Sequence, residues 1–150
     1  MTRSGQLRIV SARRDASRDA TTQYLFDELG PDDWVWLAIL DDQVIGGLRL
    51  TLASGATGVE VIGANVMVHT VSVHEPRRGT GHGRAVMEFA EQWLRTRPDL
   101  PTTLSLAVEV DNTTAMGLYE SLGYRFIGVD GERLTTPDRR CFVMAKSLDA

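Results

Sequence analysis

The sequence predicts an α/β fold in which a mixed sheet carries helices on both faces. Three observations predict it. Strand-like and helix-like segments interleave along the chain, as in layered α/β architectures. An alternating apolar segment, residues 66–73, runs through a glycine-rich turn into an amphipathic segment, residues 85–94. Composition is that of an ordinary globular chain, with 43% hydrophobic and 24% charged residues in 150. A chain of this size buries roughly 70% of its unfolded surface, enough for a real core. No repeat, linker or low-complexity tract divides it, so one domain over residues 1–150 is expected.

Taken in order, residues 7–12 read as a first strand. Residues 17–29 read as a helix, with Ala20, Tyr24, Leu25 and Leu29 near one face and Gly30-Pro31 as its stop. Residues 34–40 form a nearly unbroken apolar strand, and Asp41-Asp42-Gln43 turns it into a hairpin partner at 44–52. A glycine-rich loop at 54–58 precedes a long strand that starts at Glu60 or Val61 and ends at Val73. Ala85, Val86, Phe89, Ala90, Trp93 and Leu94 recur at helical spacing, with Pro98 marking the end. Leu104, Leu106, Val108 and Val110 share one parity and read as a strand. Asp111 or Asn112 can cap the next helix, whose face holds Ala115, Met116, Tyr119 and Leu122 and whose stop is Gly123. Residues 124–129 and 141–145 read as the last two strands, joined by a polar loop at 130–140.

The turn Arg78-Gly79-Thr80-Gly81-His82-Gly83-Arg84 joins a strand to a helix and has the chemistry of a phosphate site. Glycine permits positive φ and close backbone approach. The first turn of the helix offers unpaired N–H groups and the positive end of the helix dipole. Arg78 and Arg84 add cationic donors, so a ligand bearing phosphate, above all pyrophosphate, is expected. A Walker loop would need Lys-Ser/Thr after its last glycine, and Gly83 is followed by Arg84-Ala85. A dinucleotide fingerprint would need glycine where Arg84 stands. What remains is Arg-x-x-Gly-x-Gly, filled by Arg78, Gly81 and Gly83. This resembles the acetyl-CoA signature of the GNAT N-acetyltransferase superfamily. A second block, Asn112-x-x-Ala115-x-x-Leu118-Tyr119-x-x-x-Gly123-Tyr124, is similar to that superfamily's next motif.

The resemblance implies a GNAT-like fold, a central mixed and mostly antiparallel sheet of six to seven strands with helices on both faces. It implies an acetyl-CoA-dependent N-acetyltransferase acting on a primary amine. In the superfamily the strand before the loop supplies backbone groups to the cofactor's arm and acetyl group; by position these are Val71, Ser72 and Val73. Arg78 and the backbone of Gly79, Thr80, Gly81, His82, Gly83 and Arg84 would hold the pyrophosphate, and Asn112 would contact the cofactor. Tyr119 matches the phenol that serves as general acid, protonated at neutral pH with an ordinary pKa of about 10.

Two departures from the pattern stand out. Members usually place two helices between the first and second strands, and one fits here, so a more open acceptor pocket is expected. Relatives that modify protein N-termini often carry Glu five residues before the motif Asn, where this chain has Ala107. The base is therefore sought elsewhere. His69 shares strand parity with Val71 and Val73, and its titration range suits proton transfer. Glu60 is an alternative that would hold a water; His74 and His82 flank the loop and suit solvent or phosphate.

The acceptor is expected to be a small-molecule amine, an aminoglycoside-like or other antibiotic among the possibilities. A protein N-terminus or lysine is the alternative acceptor, and a non-catalytic acyl-CoA sensor the alternative function. A net charge of −4 and a pI near 5.3 argue against a nucleic-acid footprint and favour a cationic partner. Asp32 and Asp33 would attract such an amine, or form a solvated turn; Trp34 and Trp36 read as core or pocket wall; Arg77 would reach a ribose phosphate, or lie exposed. The single Cys141 excludes an internal disulfide, fits a reducing compartment and reads as a buried strand thiol. No His/Cys/Asp spacing suggests a metal. No apolar run reaches the roughly 20 residues of a membrane span, and no apolar signal region follows Met1. A cytoplasmic enzyme is expected, with a homodimer as one assembly open to it.

Overall fold

The computed structural model describes residues 6–12, 23–26, 29–53, 63–73, 81–129 and 131–149. Its main sheet has seven strands in the order Arg8–Ser11 (β1), Asp33–Leu40 (β2), Gln43–Ala53 (β3), Asn65–Val73 (β4), Thr103–Glu109 (β5), Cys141–Ser147 (β9) and Arg125–Phe126 (β6), with Gly128–Val129 (β7) and Glu132–Arg133 (β8) in a separate two-stranded sheet. Only the β4–β5 pair is recorded as parallel; the other recorded pairings are antiparallel. This is the mixed, mostly antiparallel sheet of six to seven strands expected above. The chain divides into two compact units, Met1–Thr51 with His69–Gln92, and Leu52–Val68 with Trp93–Ala150.

In the first unit β1 (Arg8–Ser11) pairs with β2 (Asp33–Leu40), which forms a hairpin with β3 (Gln43–Ala53). The hairpin closes at Leu40↔Gln43 through two residues, Asp41 and Asp42, both left-handed with φ of 52° and 61°. Such a turn matches the right-handed twist of its strands, and Asp tolerates its dihedrals. Strand alternation then sorts the hairpin into two faces. Trp36 sits opposite Leu48 on one of them, and Phe89 of α1 (His82–Arg95) meets Trp36 edge-on at 5.5 Å. The other face carries Asp33, Val35, Gly47, Arg49 and Thr51. Against it lies a 3-10 turn, Gln23–Phe26, whose Leu25 and Phe26 cluster with Val35. Helical elements therefore cover both faces of this hairpin. Gly47 is required by space: a Cβ there would strike the Leu25 side chain and come within 2.9 Å of the Trp36 carbonyl oxygen.

In the second unit the first residues of β4 (Asn65–Val73) pair with β5 (Thr103–Glu109) at Val66↔Leu104 and Met67↔Ser105. A buried polar link accompanies this pair. The Ser105 hydroxyl donates to Asn65 Oδ1 at 2.6 Å, and Asn65 Nδ2 donates to the Gly63 carbonyl at 2.8 Å. β9 (Cys141–Ser147) runs antiparallel along the whole of β5 and also takes β6 (Arg125–Phe126). α2 (Thr113–Ser121) lies between β5 and β6 in sequence. It ends as the sequence suggests, with Gly123 at φ 97°. Lys146 of β9 adds a cation at that end, donating from Nζ to the Leu122 carbonyl at 2.6 Å.

Several boundaries differ from expectation. α1 starts at His82, three residues before the apolar pattern, because helix geometry begins at the glycine turn rather than at the first core contact. The expected strand 124–129 is broken at Ile127, whose N–H donates to the Val143 carbonyl, so that Gly128–Val129 (β7) turns away to pair with Glu132–Arg133 (β8). In the loop expected at 130–140, Thr136 is buried, and its hydroxyl donates to Asp138 while accepting from the Cys141 N–H. Of the helix expected at 17–29, the residues described are Gln23–Phe26, a 3-10 turn, and Leu29; the rest of that segment, the loop at 54–58 and the strand start at Glu60 or Val61 lie outside the described residues.

The tight site at Gly47 gives a direct test. Gly47→Ala should destabilise the chain by about 1–3 kcal/mol, the usual cost of overpacking, read as a lowered urea midpoint. An unchanged midpoint would mean that Leu25 yields without penalty.

Candidate active site

The end of β4 and the start of α1 belong to the first unit, and they carry most of the expected site residues. His69, Val71, Ser72 and Val73 lie on β4, His69 exposed and Val71 half-buried. Gly81 has φ of 85°, and its carbonyl accepts from the Ala85 N–H at 3.1 Å, which makes it the residue that opens α1. Among the described residues a Cβ on Gly81 would meet nothing within 4 Å, so it is the dihedral that demands glycine there. Helix geometry directs the first N–H groups of α1, those of His82 and Gly83 among them, out of the helix. No acidic residue stands in that first turn. A helix N-terminus without an acid in its first turn suits a phosphate group, and Arg84 is exposed next to it. Arg78, Gly79, Thr80, His74, Arg77 and Glu60 lie outside the described residues.

The second cluster of the first unit was not legible as a site from sequence. Asp33, at the start of β2, accepts from Arg49 of β3 at 3.2 Å, from the Thr51 hydroxyl and from the Gly30 N–H at 2.7 Å. Both charged side chains are nearly enclosed, 5% exposed for Arg49 and 9% for Asp33. Burial pushes the Asp33 carboxyl up, but the Thr51 and Gly30 hydrogen bonds and the Arg49 charge outweigh it and hold the group below the ordinary carboxylate range. Asp33 is thus neither a solvated turn nor a docking group for an amine; it anchors the chain before β2. Asp32 beside it is exposed. His69 feels the same pair. Its pKa is pushed below the usual 6.5, first by partial burial and then by Arg49, with Asp33 pulling the other way. Its imidazole is therefore neutral at pH 7 while keeping an exposed edge. Trp36 is core, and Trp34 is half-buried.

In the second unit Asn112 and Tyr119 both lie on or next to α2. Asn112 is its N-cap, with Oδ1 accepting from the Ala115 N–H at 3.1 Å. The cap occupies the oxygen and leaves the exposed amide nitrogen to donate to a ligand. Tyr119 is largely enclosed and meets Tyr124 edge-on at 6.1 Å. Burial raises its phenol above the ordinary value of 10.0, so the group holds its proton throughout the neutral range. Cys141 is half-buried at the start of β9, and burial, then the charges of Asp138 and Glu109, keep its thiol protonated. Among the described residues no group of three or more His, Cys, Asp or Glu is arranged to hold a metal ion. Nor is any described helix long and apolar enough to cross a membrane.

The missed residues are Arg49 and Thr51. One signal was available: Arg49 interrupts the apolar strand 44–52 at a position sharing parity with Gly47 and Thr51. A lone charge in a core strand calls for a buried partner.

Known proteins supply an independent comparison. The model of the acetyltransferase (GNAT) family matches residues 7–124. Among curated proteins none matches the chain. Among solved structures, the ribosomal-protein alanine N-acetyltransferase of Escherichia coli superposes with a TM-score of 0.67 at 19% identity, over 97% of this chain and 96% of that one. A GNAT family acetyltransferase from Elizabethkingia anophelis, with acetyl-CoA bound, reaches 0.68 at 14% identity over 95% and 98%. Nourseothricin acetyltransferase gives 0.59 at 25% identity over 79% and 67%. The first two likenesses establish the fold.

The linkage at Asp33 has a definite sign. Its folded pKa is depressed, so its contribution is complete above the unfolded value of about 3.9 and is lost as pH falls through the lower folded value. Asp33→Asn should cost about 3–5 kcal/mol at pH 7, because it leaves Arg49 enclosed without its counter-charge. The gap from wild type in urea unfolding should narrow below pH 4. A gap that stays constant with pH would show that Asp33 is not ionised in the folded chain.

Proposed function

Because the chain belongs to the acetyltransferase (GNAT) family, we propose that it transfers the acetyl group of acetyl-CoA to a primary amine of a small molecule, with Tyr119 as general acid and His69 as base. What supports this reading is the state of two groups, each in its own unit: a largely enclosed Tyr119 phenol that holds its proton, and an exposed His69 imidazole whose pKa lies below the usual 6.5. Acetyl-CoA, when bound, supplies the activated acetyl group. The α1 N-terminus opened by Gly81, with Arg78, Gly79, Thr80, His82, Gly83 and Arg84, holds its pyrophosphate, and the Asn112 amide donates to it. Backbone groups of Val71, Ser72 and Val73 align its arm.

An amine with a pKa of about 10.4 arrives protonated, and freeing it at pH 7 costs roughly 4–5 kcal/mol. His69, directly or through one water, accepts the first proton. The nitrogen then forms its bond to the acetyl carbon as the carbon–sulfur bond breaks. Tyr119 donates to the departing sulfur and is reprotonated from solvent. Of the two protons the nitrogen sheds, one is thereby balanced on the thiol and the other leaves to solvent.

The net charge of −4 supports a cationic small-molecule acceptor, and nourseothricin acetyltransferase is similar to this chain at 25% identity. A protein acceptor is the second reading, favoured by the fold shared with the ribosomal-protein alanine N-acetyltransferase and disfavoured by Ala107. A third is an acyl-CoA sensor without turnover. The reading includes a single catalytic domain in a reducing, cytoplasmic setting that suits the Cys141 thiol, with neither nucleic acid nor membrane as partner; a homodimer is compatible with it.

Calorimetric titration with acetyl-CoA, beside a thiol-release assay over a panel of amines, tests the proposal. Amine-dependent release is expected; binding without release on any amine would favour the sensor. Tyr119→Phe should lower kcat on the order of 10²-fold or more while leaving acetyl-CoA affinity nearly unchanged. Full turnover in that variant would remove Tyr119 from the mechanism.

A further inference from the structure

In the second unit, two aromatic rings and one arginine meet where β6, β8 and β9 come together. β9 places Phe142 and Met144 on one face, and Phe126 of β6, opposite Met144, shares that face. The Phe126 and Phe142 rings stand nearly perpendicular, at 88° with centroids 5.7 Å apart. They form a corner, and the Arg133 guanidinium lies in it, 3.7 Å over the centre of Phe126 and 5.5 Å from that of Phe142. The backbone around Arg133 is fixed as well. Arg133 pairs with Gly128, and the next residue, Leu134, donates to the Ile127 carbonyl at 2.8 Å and accepts from the Val143 N–H at 3.2 Å. Leu134 packs with Ile127 and Val143 on the other face, which turns Arg133 toward the rings.

A guanidinium held face-on to a ring keeps its N–H donors in its own plane, directed outward from its edge. Arg133 is exposed, and among the described residues those donors have no acceptor. The nearby acids are accounted for. Glu132 precedes Arg133 on β8, so strand alternation sets it on the other face. The Asp138 carboxylate accepts from the Thr136 hydroxyl at 2.6 Å and the Arg140 N–H at 3.0 Å. Glu109 lies opposite Cys141, on the face away from Phe142. Two further cations, Arg139 and Arg140, are exposed just before β9. We infer that Arg133 is the centre of an oxyanion-binding site: its edge takes two oxygens of a carboxylate or phosphate group, with the Phe126 face as its platform. The inference does not rest on the acetyl-transfer reading.

What the corner does to Arg133 is the reason for assigning it a ligand. An exposed arginine normally loses much rotamer freedom when it captures an anion. Here the rings and the bracketed backbone have ordered the side chain beforehand, so the incoming group does not bear that cost. The chemistry of the site also selects its ligand. Two parallel N–H donors match the paired oxygens of carboxylate and phosphate, whereas a spherical ion such as chloride meets only one direction of the edge. Lysine in the same place would keep the charge and lose both the flat contact with the ring and the paired donors.

NMR of the isotope-labelled protein tests this directly, because the Nε–H signal of Arg133 can be assigned by its loss in Arg133→Lys. Sodium acetate and sodium phosphate, each compared with sodium chloride at equal ionic strength, should move that signal saturably, with half the effect at roughly millimolar concentration. A response to acetate alone would identify a carboxylate site, to phosphate alone a phosphate site, and to both the shared chemistry. In Arg133→Lys the Leu134 amide should lose its saturable response to either oxyanion. Phe126→Leu keeps the arginine and removes its platform; it should weaken oxyanion affinity about threefold or more. No saturable movement with either oxyanion, or an equal one with chloride, would overturn the inference. Undiminished affinity in Phe126→Leu would overturn it too, since Arg133 would then bind as any surface cation does. Should that variant fail to fold, the wild-type comparison of oxyanions with chloride still decides.

Discussion

A charge enclosed in a sheet is the constraint around which the first unit is arranged. Arg49 stands in a strand whose other buried positions, residues 45–48 and 50, are apolar or glycine, and a guanidinium so placed must have a carboxylate within reach. Asp33 meets that need across the hairpin, and the need fixes more than one contact. The β2–β3 register sets Thr51 opposite Asp33, and the chain before β2 is drawn in because Gly30 donates to the same carboxylate. A slip of one residue would turn Arg49 to the Trp36 face and leave both charges unsatisfied. The pair therefore acts as a register pin, and the left-handed turn at Asp41 and Asp42 closes the same register from the other end.

The two groups assigned to proton transfer reach their states by one physical cause. Enclosure disfavours whichever form is charged. For an imidazole that form is the acid, and for a phenol it is the base. Partial burial therefore drives His69 and Tyr119 toward neutrality from opposite sides, one ready to accept and the other ready to give. Neither group needs a dedicated charged partner to be in the right state, although His69 has two that refine it. Asn112 adds an economy of another kind: its oxygen caps α2 while its amide remains outward.

The legible parts of this chain were the local ones. Gly81 announces its conformation because a positive φ at a helix start has few other occupants, and Asn112 announces its cap because the bond it accepts lies three residues away. Tyr119 could be placed by the motif around it, and its helix follows from spacing alone. The Asp33–Arg49 pair spans 16 residues and depends on hairpin register, which parity suggests only once both strands are aligned. Asp33 beside Asp32 looked like a polar turn for that reason. The break at Ile127 was hidden by an apolar run, since strand patterning does not reveal which neighbour each half will pair with. Thr136 sat in a segment rich in charge, and its burial comes from a local knot with Asp138 and Cys141 that composition conceals.

Lys146 is the only lysine in the chain; every other basic side chain is arginine or histidine. Its nitrogen is committed to the Leu122 carbonyl and lies 5.8 Å from the centre of the Tyr124 ring. Thioesters acylate free amines without any catalyst, and a protein that works in their presence is exposed to that side reaction. Guanidinium groups are far poorer nucleophiles, and a lysine nitrogen donating to a helix end must first abandon that bond to react. Among its side chains this sequence thus offers a thioester a single amine to acylate, a scarcity that lies in composition rather than in any shield.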